Sequence, residues 1–195
     1  MLRRDLLTLC GAAALLAGCG VEPKPAFKAV DITGADYARD FKLTDTEGKP
    51  RSVEDFQGKA VVVFFGYTQC PDACPTTLAE IAEAKKLLGP DGGKVQPVLI
   101  SLDPERDKPE VLKAYVQNFG PDFIALRGTP EETAAVAKDF KVFYRKVPGS
   151  TPGSYTMDHS AASYVYDPKG RLRLYVRYGA GAQALADDLK LILQG

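Results

Sequence analysis

The chain has 195 residues, with 25 Lys+Arg balanced by 25 Asp+Glu and a single histidine. That length suits one domain with accessory segments and suffices to bury a core without disulfide staples. Neutral overall charge with no basic stripe argues against a nucleic-acid binder, and no apolar run is long enough to span a bilayer.

Arg3 and Arg4 precede an apolar stretch over residues 6–17, which ends in Leu16-Ala17-Gly18-Cys19. Such a segment reads as a signal peptide, and its ending resembles a bacterial lipobox. Residues 1–18 are therefore expected to be removed and Cys19 to carry the lipid, placing the protein on a membrane and facing the periplasm. An ordinary cleaved signal peptide followed by a free cysteine, or an uncleaved anchor, is the plainer alternative. Residues 19–35, with Pro23 and Pro25 and no periodic pattern, read as a tether that could extend about 50 Å. The folded domain is expected over residues 36–195.

Within it the signals alternate between strand and helix. Residues 41–43, a turn at Glu47-Gly48 and residues 52–56 form an N-terminal ribbon and helical turn. Val61-Val62-Val63-Phe64-Phe65 has the β-branched and aromatic character of a central strand. A helix is predicted from Pro75, with Leu78, Ile81, Ala82 and Leu88 on one face and a stop at Gly89-Pro90. Residues 98–102 form the next strand. Asp107 is read as the cap of a helix bearing Leu112, Tyr115 and Val116. Residues 123–126 form a short strand, and Thr129-Pro130-Glu131-Glu132 is a capping box. Residues 148–154 are rich in Gly, Pro, Ser and Thr and read as a loop. Strands at 163–166 and 172–176 flank an Asp167-Pro168-Lys169-Gly170 turn, and a last helix covers residues 182–193. The order implies an α/β fold with a central mixed sheet flanked by helices, which suits a thioredoxin-like domain.

Cys70 and Cys74 follow the predicted central strand and sit at a helix start. Ligand sites of open α/β sheets lie at the carboxyl ends of strands, and a helix N-terminus favours thiolate over thiol. In a regular helix, i and i+4 Cβ atoms are about 5–6 Å apart, whereas a disulfide wants about 3.8 Å. The Cys-x3-Cys spacing therefore permits a redox-active pair after local unwinding, and also a shared metal ion. An inert disulfide would close only a tiny ring and gain little.

His159 stands in Thr156-Met157-Asp158-His159-Ser160, just before the C-terminal strands. A lone histidine is ordinarily a packed residue. Here the loop before the edge strand is expected to face the cysteine loop, which makes His159 a candidate ligand on a loop able to swing. Two thiolates and an imidazole suit reduced copper or zinc, and composition does not separate them. Met157 is expected to point elsewhere and to pack in the core or at its rim. Asp72 and Asp158 are read as loop caps or as charges tuning the site.

Three motifs in order, Phe64-Phe65-Gly66-Tyr67-Thr68-Gln69-Cys70-Pro71-Asp72-Ala73-Cys74-Pro75, Ser101-Leu102-Asp103-Pro104-Glu105-Arg106-Asp107 and Asp158-His159-Ser160, resemble the Sco/SenC family of copper proteins. The resemblance implies a thioredoxin-like fold and a copper ion, Cu(I) or Cu(II), held by Cys70, Cys74 and His159. It also implies a metallochaperone serving the dinuclear copper centre of cytochrome c oxidase subunit II, or other copper-assembly proteins. The alternative from another class is a thiol–disulfide oxidoreductase using Cys70 and Cys74 alone. Gln69 departs from the family, where many members carry histidine, and little effect on binding is expected.

Overall fold

The computed structural model describes residues 26–195; the signal segment, Cys19 and the first part of the tether lie outside the described residues. The strands are β1 (Val30–Asp31), β2 (Leu43–Asp45), β3 (Pro50–Arg51), β4 (Ala60–Gly66), β5 (Val95–Ser101), β6 (Ile124–Arg127), β7 (Tyr144–Pro148), β8 (Tyr155–His159), β9 (Ser163–Tyr166) and β10 (Leu172–Val176). The helices are α1 (Ala73–Leu87), α2 (Pro109–Gln117), α3 (Pro130–Asp139) and α4 (Ala182–Gln194). Eight strands form one mixed sheet in the order β1-β10-β9-β4-β5-β6-β2-β3, with β4, β5 and β6 parallel and β9 antiparallel to β4. The architecture is thioredoxin-like, a central mixed sheet flanked by helices.

All seven residues of β4 are buried, and their alternation divides the core. Ala60, Val62 and Phe64 face the cluster containing Leu78 and Ile81 of α1, Leu112 of α2, and Leu189 and Ile192 of α4. Val61, Val63 and Phe65 face the opposite cluster, with Phe41 and Phe56 of the N-terminal segment, Ala137 of α3 and Phe140 at its C-cap. A strand covered on both sides in this way must be apolar throughout. The capping box closes as the motif requires, Glu132 N–H donating to Thr129 Oγ1 (3.2 Å) and Thr129 N–H to Glu132 Oε2 (2.8 Å).

Three features differ from the sequence expectation. The second half of the tether belongs to the fold. The Lys28 and Ala29 N–H groups each donate to buried Asp188 at 2.8 Å, and β1 pairs with β10. A two-residue edge strand has no periodicity to betray it, and the acceptor of the Lys28 N–H just before it lies 160 residues downstream. Helix α1 begins at Ala73, two residues before Pro75, so Cys74 is inside its first turn. The loop over residues 149–154 is the tip of a two-stranded hairpin, β7–β8, which forms a sheet of its own. His159 therefore ends a strand instead of lying in a loop. No helix among the described residues is long and apolar enough to cross a membrane.

Candidate metal centre

The backbone leaves β4 at Gly66, and the Cys70 N–H donates back to the Tyr67 carbonyl at 3.3 Å, turning the chain into α1. The first helical turn then directs the Cys74 N–H at Cys70 Sγ (3.3 Å). Cys74 is fully buried and Cys70 partly exposed, and both are free thiols. A Cβ on Gly66 would lie 2.8 Å from Cys74 Sγ and 2.8 Å from the Phe64 ring. Only a glycine lets the strand end this close to the sulfur.

His159 reaches the pair from β8. Its Nε2 lies 3.5 Å from Cys74 Sγ, and its Nδ1 lies 2.9 Å from the Ser160 carbonyl. That carbonyl can only accept, so Nδ1 carries the proton and Nε2 presents its lone pair to the sulfurs. The rings of Phe64 and Tyr67 flank the imidazole edge-on, with centroids 6.1 and 5.9 Å away. The ligand atoms of Cys70, Cys74 and His159 all lie within 4.8 Å of one another. An ion held at about 2.0–2.3 Å from each donor needs donor–donor edges of about 3.5–4 Å. The Cys74–His159 edge already meets this, and the longest edge must close by no more than about 1 Å. The three residues fit a soft cation.

Electrostatics make the two sulfurs unlike. The hydrogen bond from Cys74, with backbone N–H groups of Asp72 and Cys74, lowers the Cys70 pKa to about 4 despite partial burial. The same pairing, added to burial, pushes the Cys74 thiol upward. The metal-free pair therefore holds one proton, on Cys74. Iodoacetamide is expected to alkylate Cys70 readily at about pH 6, where an ordinary thiol is under about 1 % ionised, while Cys74 stays unmodified on mass mapping. A Cys70 rate that climbs tenfold per pH unit up to about pH 8 would contradict this assignment.

Two further residues emerge that spacing did not reveal as part of the site. Asp107 does not cap α2, whose N-cap is Lys108. Its carboxylate is fully buried and accepts from the Thr68 hydroxyl (2.6 Å), the Thr68 N–H (3.3 Å) and the Ser101 hydroxyl (2.6 Å). It thereby pins the cysteine loop to the end of β5. Arg106 lies between the cysteine loop and β8. The signal for both is the charge-dense Asp103–Asp107 motif, whose residues also suit an ordinary strand end and helix start.

Met157 is buried in the same cluster as Cys74. It does not point away from His159, since strand residues two apart share a face; its N–H donates to Tyr67 Oη at 3.2 Å. Asp158 pairs with Arg145 across the hairpin at 3.0 Å, both exposed, so its role is in the hairpin. Asp72 occupies the N-cap position of α1 without a side-chain cap bond.

The fold and these donors define a class: a thioredoxin-like domain with a Cys-x3-Cys pair at the helix start and an imidazole brought in by a hairpin. The chain belongs to the SCO1/SenC family, whose profile matches residues 30–194. It is 34% identical over 189 residues to a SCO2-like protein of Rickettsia felis, covering 95% of this chain and 92% of that one. It is 35% identical over 153 residues to the human mitochondrial SCO2 homolog, covering 77% of this chain but only 58% of the human protein. Among solved structures, Bradyrhizobium japonicum ScoI with copper bound is 42% identical, with a TM-score of 0.71 over 78% of this chain and 97% of that one.

Proposed function

We propose that this protein binds one copper ion through Cys70, Cys74 and His159 and delivers it to the dinuclear copper centre of cytochrome c oxidase subunit II. The observation that carries the reading is the convergence of two sulfurs and one oriented imidazole within 4.8 Å. A related structure contains copper, which supports that metal over zinc. Thiolates and a neutral imidazole suit Cu(I), and a three-donor site leaves room for an acceptor's sulfur to enter before a protein ligand departs. Cys70 is partly exposed and Cys74 buried, so Cys70 is the sulfur an acceptor can reach and displace first. A lipid on Cys19 would hold the domain on the periplasmic side of a membrane, near a membrane-bound oxidase.

The asymmetry of the two thiols favours a second activity on the same residues. Cys70 thiolate would attack an acceptor disulfide to give a mixed disulfide. Cys74 would then pass its proton to the acceptor thiolate freed in the first step and attack Cys70 Sγ, breaking the mixed disulfide, releasing the acceptor as a dithiol and leaving this protein with a Cys70–Cys74 disulfide. Two electrons pass from the Cys70–Cys74 dithiol to the acceptor.

The experiment separates these with a soluble copper domain of subunit II as acceptor. Copper-loaded protein is expected to transfer its Cu(I) to the reduced acceptor, and His159→Ala to carry and deliver far less. If His159→Ala transfers copper as well as wild type, the three-donor carrier is wrong. If only disulfide reduction is seen, undiminished by His159→Ala, the oxidoreductase reading replaces it.

A further inference from the structure

The two halves of the metal centre sit on separate sheets: the cysteines follow β4, and His159 ends a hairpin not paired to the main sheet. Something must set the distance between them. We propose that Arg106 is the positioning residue that clamps the His159 strand against the cysteine loop.

A single guanidinium nitrogen reaches both halves. Arg106 Nη1 donates to Gln69 Oε1 (3.0 Å), next to Cys70, and to the Tyr155 carbonyl (2.9 Å), on β8. Its Nε pairs with Asp103, whose side chain is almost wholly buried. Asp103 is itself fixed: its N–H donates to Ser101 Oγ at 3.1 Å and it accepts from Tyr155 Oη at 2.9 Å. The guanidinium also stacks on Tyr155, with Cζ 3.6 Å from the ring centroid. Tyr155, Met157 and His159 share one face of the strand. Holding Tyr155 therefore fixes the line along which His159 approaches Cys74, about 13 Å further on. The remaining Nη2 is buried without a hydrogen-bond partner, so this partly buried charge is balanced by Asp103 and the ring rather than by a full set of acceptors. A planar fork can meet two acceptors and stack at once, which an ammonium cannot. The arrangement also gives Gln69 a role, as the cysteine-loop end of the clamp.

The copper measurements in the test rest on the proposed function; the metal-free measurement does not. In the full chain without metal, nuclear Overhauser contacts between the His159 ring and the Phe64 and Tyr67 rings should be lost in Arg106→Met. With copper, Cu(I) affinity by chelator competition should fall about 10–100-fold, the usual effect of removing a group that orients a ligand. In a His159→Ala background the same substitution should change affinity less than about twofold, because Arg106 acts through the imidazole. Arg106→Lys should not rescue either readout. Intact ring contacts with unchanged affinity would overturn the proposal. So would an equal loss without His159, or full rescue by lysine. Should Arg106→Met fail to fold, Gln69→Ala, which removes one exposed acceptor, carries the test. Weakened ring contacts support the clamp and unchanged contacts refute it. A wild type that takes up no Cu(I) would remove the proposed function while the ring contacts still decide for or against Arg106.

Discussion

Asp107→Ala is expected to lower the unfolding free energy by about 2–4 kcal/mol and to loosen the cysteine loop with it. The substitution strands three donors, the Thr68 hydroxyl and N–H and the Ser101 hydroxyl. The buried Ser101 hydroxyl, once orphaned, costs about 1–3 kcal/mol and the partly buried Thr68 donors less, offset in part because a buried carboxylate is itself costly to desolvate. Burial outweighs these donors and raises the Asp107 pKa above the ordinary carboxylate value. Between the ordinary and the raised value, the folded chain holds a proton that the unfolded chain has released. This group's contribution therefore falls as pH rises through that window. Asp107→Asn keeps the size and removes the titration. The advantage of wild type over Asp107→Asn in urea unfolding should accordingly shrink as pH rises from the ordinary carboxylate range. An advantage that grows over that range would reverse the assignment.

The second large effect is on metal binding. A four-ligand metal site binding with about 10–16 kcal/mol assigns about 2.5–4 kcal/mol to each ligand, or roughly a hundredfold to a thousandfold in affinity. Cys74→Ala and Cys70→Ala are each expected to weaken Cu(I) binding by at least that factor, measured by chelator competition on the reduced protein. Cys74→Ala should do more, because the buried sulfur is the one His159 contacts, at 3.5 Å. Its loss also removes the thiol that holds the Cys70 pKa down, so acid-range alkylation of Cys70 should slow in the same variant. Equal copper affinity in either cysteine variant would place the ion elsewhere.

Much of this fold was legible because the informative signals are local. The run over residues 61–65 announces a strand buried on both faces, Thr129 with Glu132 announces a helix start, and Asp167 to Gly170 a tight turn. The cysteine pair is legible for the same reason: it occupies five consecutive residues at a strand end. His159 stands out because the sequence has no other histidine and because it lies just before the C-terminal strands. What stayed hidden depends on contacts far apart in the chain. The edge strand β1 is held by pairing with β10 and the residues before it by Asp188, and β7 and β8 carry charged and polar residues on a hairpin whose outward face is solvated. Arg106 and Asp107 look like an ordinary strand-to-helix junction until the fold brings Gln69, Thr68 and Tyr155 to them. Residues that position a metal centre act across sheets, and spacing along the chain does not encode such distances.

The convergence of three donors on one ion is tested most directly by X-ray absorption at the copper edge of the Cu(I)-loaded full chain. Two sulfurs at about 2.2–2.3 Å and one imidazole nitrogen at about 2.0 Å are expected, with the nitrogen shell lost in His159→Ala. Two sulfurs alone in wild type, with a spectrum that His159→Ala leaves unchanged, would contradict the account.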